Sequence, residues 1–146
     1  MLVLADGTSI YDSAVITGYL ETLSGRALIP ADITERTEVL VREALADGIM
    51  EAAFNTAMEK RRPDAEQSTY WIARWHDAAN RSVDTIPVPN RTDPDIGDIA
   101  LACALGYLDF RHSKTMPWRT WNRKLADWYT LISQRKSLRE TMPPEG

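Results

Sequence analysis

Between Ile99 and Leu108 apolar and small residues fall on every side of the helix the chain would form. That pattern predicts a helix surrounded by protein, with other helices packed around it. Its start is marked locally. Pro94 favours an extended approach, Asp95 is placed to cap the helix by accepting from the amide of Asp98, and Asp98 can reach back to the amide of Asp95. Pro94 and Ile99 stand where a hydrophobic staple would form, and both acids lie where the helix dipole favours negative charge.

The segments before and after fit the same plan. Asp32 is predicted to cap a long helix running through Lys60, with Leu40, Ala44, Ile49, Ala53 and Ala57 on one side and Met50, Phe54 and Met58 four apart on another. Gly48 weakens its middle by about 1 kcal/mol relative to alanine, which points to close packing or a bend. A second helix is expected from about Ala65 to Val83, with Trp71, Trp75, Ala78 and Ser82 on one face. A proline-containing connection over residues 85–91 leads to the central helix, and a polar loop over residues 111–117 leaves it. The last strong helix should begin near Trp118, since Trp121, Leu125, Trp128 and Ile132 recur at helical spacing.

The amino end differs. Leu2-Val3-Leu4, an Asp6-Gly7 turn and Thr8-Ser9-Ile10 read as a β-hairpin, which is marginal by itself and needs cover. Asp12 or Ser13 then caps a helix carrying Val15, Ile16, Tyr19, Leu20 and Leu23, closed by Ser24-Gly25. The expected fold class is mainly α.

Length and charge narrow the function. A chain of 146 residues can bury the core of one ordinary domain, and its net charge of −4 argues against a nucleic-acid surface or an anionic membrane as principal partner. No apolar run approaches the roughly 18 residues of a membrane span, and no export signal is visible. The single cysteine, Cys103, fits a reducing cytoplasm. With His76 and His112 it forms no metal-ligand spacing, so no metal is expected.

Two stretches carry a family resemblance. Asp95-Ile96-Gly97-Asp98-Ile99 followed by Ala and Leu resembles the buried helix in the carboxy-terminal domain of glutathione transferases, with Asp95 in place of the usual hydroxyl residue. The amino-terminal stretch Leu2-Val3-Leu4-Ala5-Asp6-Gly7, then Asp12-Ser13 and Leu28-Ile29-Pro30, resembles the last hairpin, last helix and linker of that family's thioredoxin-like domain. The ending, Trp128-Tyr129 through Arg135-Lys136-Ser137 to Thr141-Met142-Pro143, is similar to the family's terminal pattern, with Lys136 in place of a proline.

The resemblance implies a remnant of the thioredoxin-like domain over residues 1–25 and an all-helical domain over residues 26–146. In the family, further strands and a helix bearing the catalytic Ser, Tyr or Cys precede this hairpin. The chain is therefore expected to be truncated at its amino end, to hold no catalytic residue, and to be inactive alone in joining glutathione to electrophiles. By resemblance, Asp12 and Ser13 bind the γ-glutamyl end of glutathione. A helix N-terminus suits its carboxylate, and Asp12 can accept from its ammonium. Both residues would also serve a bare helix cap.

Met50, Phe54 and Met58 could line an apolar substrate pocket or simply the bundle core. Asp95 and Asp98 are assigned a structural role as the capping box. Trp71, Trp75, Trp121 and Trp128 are expected to be core anchors, Cys103 a buried inert thiol, and His76 and His112 solvated. The alternative function is a non-catalytic helical module for dimerisation or partner binding. A cytoplasmic homodimer is expected, because a hairpin without its sheet leaves an unpaired edge and the following helix an uncovered apolar face.

Overall fold

The computed structural model of the protein describes residues 1–25, 27–91 and 93–143. Strands β1 (Leu2–Val3) and β2 (Ser9–Ile10) pair antiparallel, Leu2 opposite Ile10 and Val3 opposite Ser9. The amide of Leu4 also donates to the carbonyl of Thr8 at 2.9 Å, so the connection is the three residues Ala5-Asp6-Gly7 and not two. Gly7 takes the left-handed conformation (φ 87°) that this wider turn requires. Helix α1 (Ser13–Ser24) follows and ends at Gly25, also left-handed. None of its residues is buried. The expected boundary at residues 25 and 26 touches Arg26, which lies outside the described residues.

Helix α2 (Ile33–Glu59) is capped by Asp32, whose side chain accepts from the amides of Thr34 and Glu35. It runs unbroken past Gly48, which is exposed with open space where a Cβ would stand. Gly48 therefore does not mark close packing. Helix α3 (Thr69–Thr85) starts four residues later than its apolar periodicity suggested. A 3-10 turn occupies Asp64–Glu66, and Ser68 caps the helix by accepting from the amide of Trp71.

Helix α4 (Ile96–His112) is the central one. It makes its most extensive contact with α2, and α2 in turn packs on α3. Its fully buried face is Leu101, Ala104, Leu105 and Leu108, set against Ala46, Ile49 and Ala53 of α2 and joined by Ala79 and Val83 of α3. Alanines at these crossings let the backbones approach, and the leucines fill the space left between helices. The enclosure is incomplete, since Cys103 and Phe110 of α4 are exposed.

The expected last helix is divided at Asn122 into α5 (Trp118–Trp121) and α6 (Arg123–Ile132), with a short α7 (Lys136–Glu140) after it. Asn122 leaves the helical conformation, caps α6 by accepting from the amide of Leu125, and donates its amide to the carbonyl of Val83 at 2.9 Å. The break reassigns the tryptophans. Trp118 is the fully buried one, while Trp121 and Trp71 are exposed and Trp75 and Trp128 lie half-buried against the core. Asp109 holds this corner, accepting from Trp118 Nε1 at 2.9 Å and from Arg119, whose guanidinium lies over the rings of Trp118 and Tyr129.

Both histidines depart from expectation. Helix α4 continues through Arg111 and His112, where a polar loop was expected, and this turns His112 into the bundle, its Nε2 2.8 Å from the carbonyl of Ala53. His76 meets it edge-on at 6.0 Å between ring centres, with its own Nε2 buried.

Candidate functional site

Three features could bear on function: the start of α1, the start of α4, and an apolar cavity beside α4. At the first, Asp12 occupies the N-cap position of α1 but its side chain makes no capping hydrogen bond, and Ser13 is the first helical residue. Both are exposed. The first amides of any helix lack intrahelical acceptors, so this end offers donors, a hydroxyl and an uncommitted carboxylate together.

Sequence reasoning missed what faces it. Glu43 and Asp47 of α2 lie near Asp12, and Thr17 of α1 donates to Glu43 Oε1 at 3.4 Å. Burial pushes the Glu43 carboxyl above the usual carboxylate range, with Asp47 and Asp12 raising it further against the opposing Thr17 bond. Burial and then Asp12 raise Asp47 as well. One signal was legible: acids four apart on one helix repel each other, a pattern that a purely structural face avoids.

These shifts fix a pH dependence. A carboxyl whose folded pKa is raised binds protons more readily in the folded than in the unfolded chain. Its contribution to stability is therefore present on the acid side and lost as pH rises through the folded pKa. Glu43→Gln is expected to raise the thermal midpoint at neutral pH and to flatten the pH dependence between neutrality and about pH 4. A variant that is less stable than the parent at neutral pH would sink this reading.

At the second feature the capping box forms as expected. The amide of Asp98 donates to Asp95 Oδ1 at 2.9 Å, and that of Asp95 to Asp98 Oδ2 at 3.3 Å. Two arginines that sequence reasoning did not connect with it close over the pair. Arg42 of α2 lies 2.7 Å from Asp95 and 3.0 Å from Asp98, and Arg91 contacts both. The Arg42 Nε contact with Asp98 Oδ1 is one of charge, not aligned as a hydrogen bond. Asp98 is fully buried, and burial pushes its carboxyl up despite the opposing field of Arg42. A network so enclosed is a structural fastening between α2 and α4.

The third feature is a cavity of about 720 Å³, whose walls include Met50 of α2, Cys103, Tyr107 and Phe110 of α4, Tyr129 of α6, and Leu138 and Met142 from the carboxy end. Of the expected pocket stripe only Met50 reaches it. Each step of four residues advances the direction around a helix, so Met58 has turned about 80° from Met50. Phe54 is exposed and Met58 half-buried, and neither lines the cavity. Cys103 is not enclosed in the bundle but opens on this cavity, where apolar surroundings push its thiol pKa up. Burial, and then the charge of Asp109, push the Tyr129 phenol up too.

A buried helix opened by an acidic capping box, flanked by long helices and preceded by a hairpin and a helix with an Asp-Ser start, defines a glutathione transferase-type helical domain. The chain belongs to the glutathione transferase family. It is 35% identical to the uncharacterized GST-like protein YibF of Escherichia coli K12, an alignment covering 100% of this chain and 75% of that protein. A glutathione transferase family member from Pseudomonas fluorescens Pf-5, solved with S-(propanoic acid)-glutathione bound, matches 98% of this chain and 76% of its own at 39% identity and a TM-score of 0.92. A glutathione S-transferase from Methylobacillus flagellatus KT, solved with glutathione bound, matches 97% of this chain and 73% of its own at 34% identity and a TM-score of 0.87. No protein-family model matches the chain.

Among the described residues no group of His, Cys, Asp and Glu could hold a metal ion, and no helix is long and apolar enough to cross a membrane.

Proposed function

We propose that this chain binds glutathione by its γ-glutamyl end at the start of α1 and takes an apolar electrophile into the cavity beside Cys103. The observation that carries the reading is the Asp12 carboxylate, which stands at a helix N-terminus without capping it. The γ-glutamyl carboxylate would face the free amides and the Ser13 hydroxyl, and the ammonium would face Asp12. Glu43 and Asp47 behind Asp12 favour the ammonium further, and a cation among these three acids relieves their mutual repulsion. Relatives solved with glutathione or a glutathione conjugate bound support the ligand class.

Conjugation also requires a group that stabilises the glutathione thiolate. Cys103 and Tyr129, the thiol and one of the two phenols in the cavity wall, both have raised pKa values, which makes them poor donors of that kind at neutral pH. The proposal is therefore binding without efficient turnover by these 146 residues. Calorimetry on the chain should show a millimolar dissociation constant, about 4 kcal/mol, weakened at least tenfold in the Asp12→Ala, Ser13→Ala double variant. A conjugation assay should stay near background. Equal binding by the double variant would remove the assigned site, and robust turnover would mean that a thiolate-stabilising group is present after all.

We also propose a cytoplasmic homodimer. Val3, Tyr11, Val15, Leu20 and Leu23 are exposed on the hairpin, the start of α1 and α1 itself, an apolar surface that a second copy would cover. Sedimentation velocity should show mass rising with concentration, and a clean monomer at high concentration would refute the assembly.

A further inference from the structure

At the end of the bundle where α2 and α4 both terminate, a cleft of about 480 Å³ is lined by Lys60, Arg61, Arg111, His112, Lys114 and Thr115. We infer that it binds a small phosphate-bearing anion, held by the four cationic side chains and the Thr115 hydroxyl. The placement is notable in a protein whose net charge is −4.

Basic residues near helix C-termini have an ordinary role in offsetting the helix dipole. That role does not account for the number here. Each helix end carries roughly half a negative charge, so two ends offset about one of four positive charges. Nor do carboxylates take up the remainder. Among the described residues none of the four cations lies within ion-pair distance of an acid, and the nearby acids are engaged elsewhere. Glu59 accepts from the amide of Ser68 at 2.7 Å and faces Arg62, Glu66 also faces Arg62, and Asp64 accepts from Gln67.

The surplus charge is felt inside the protein. Burial chiefly lowers the pKa of His112, but Lys60 and Arg111 lower it further, against the Ala53 bond, which raises it. His76, on α3, is lowered by burial and then by Lys60 and His112, with Asp77 opposing. An anion in the cleft would cancel that field. It would also have a donor to gain: with Nε2 donating to the Ala53 carbonyl, neutral His112 presents Nδ1 as an acceptor, 3.5 Å from Thr115 Oγ1. Protonation turns Nδ1 into a donor toward Thr115 Oγ1, which leaves the Thr115 hydroxyl proton for an anion in the cleft.

The class of ligand follows from charge and size. Guanidinium forks and ammonium groups match phosphate oxygens, and the volume falls in the range of small-molecule pockets, about 300 to 1,000 Å³. A phosphorylated small molecule fits better than a bare halide. The cleft lies past the carboxy end of α2 at Lys60 and shares no residue with the Asp12, Glu43 and Asp47 group, so this ligand is distinct from the one proposed at α1.

The protein has two histidines, so their proton resonances can be followed singly. Titrations of the chain in chloride, inorganic phosphate and pyrophosphate at equal ionic strength should show the His112 pKa raised by phosphate, with pyrophosphate saturating at lower concentration. Lys60→Gln, Arg111→Gln, Lys114→Gln together should weaken saturation at least tenfold. All three are exposed, so the variant should keep the parent's melting midpoint in chloride. If it does not fold, Lys114→Gln alone should give a smaller loss in the same direction. Identical His112 titrations in all three salts would overturn the inference, as would undiminished saturation by the variants. Capture by phosphatidylserine vesicles without any phosphate effect would also overturn it, assigning the patch to a membrane surface.

Discussion

Asp98→Ala is expected to lower stability by about 3 kcal/mol, the lower end of what removing one partner from a buried charge pair costs. The side chain is fully buried, supplies one arm of the capping box, and faces Arg42, which is itself largely enclosed. Alanine removes the acceptor for the amide of Asp95 and leaves Arg42 with one carboxylate instead of two. An opposing effect exists, since burial raises the Asp98 carboxyl pKa and the ionised form is held at a disadvantage. Asp98→Asn separates the two. It keeps the shape and the acceptor for the Asp95 amide while removing the charge, so it should lose about 1 kcal/mol less than alanine, the scale of the hydrogen bond it retains. Urea denaturation of the three proteins decides the matter. Equal midpoints for parent and alanine variant would show that the buried network contributes nothing.

The second large effect is expected at Gly97. A Cβ there would stand 2.6 Å from the carbonyl oxygen of Val39 and 3.1 Å from the Cβ of Arg42. The first turn of α4 rests directly on the backbone of α2, and neither helix can yield without moving the arginine that closes the capping box. Gly97→Ala should therefore cost roughly 3 kcal/mol, the upper end of ordinary overpacking, although alanine is the better helix former. Gly106→Ala provides the control. Its Cβ would meet the Tyr129 hydroxyl at 2.8 Å, a side-chain end and not a backbone atom, so its cost should be smaller. A ranking with Gly106 the more sensitive position would contradict this account of the α2–α4 contact.

Sequence reasoning reached the central helix and its cap because those signals are local. Asp95 and Asp98 sit three apart, and their hydrogen bonds close within one turn. Arg42 escaped it, since no local rule ties a residue 53 positions away to a cap, and Arg91, four residues before Asp95, lies in the connection ahead of the helix, where helical spacing does not apply. The tryptophans show the same limit. A stripe at helical spacing predicted one helix from Trp118, but Asn122 was committed to the carbonyl of Val83 on another helix, and that tertiary bond turned Trp121 outward. His112 was misplaced by a single turn of helix. Asp12 and Ser13 lie at a helix start as expected, and what they face was set by a pair of acids on α2 that only packing brings near.

The amide of Ile96, first in α4, has no intrahelical acceptor and donates instead to the carbonyl of Leu28 at 3.1 Å. Ile29 in turn donates to Glu21 of α1 at 2.6 Å. Deuterium uptake at the single position Ile96 thus times the breaking of its bond to Leu28. Amides of Leu105 and Leu108, deep in the same helix, wait for global opening. The gap between these two exchange rates is a direct clock for the attachment of the amino-terminal segment.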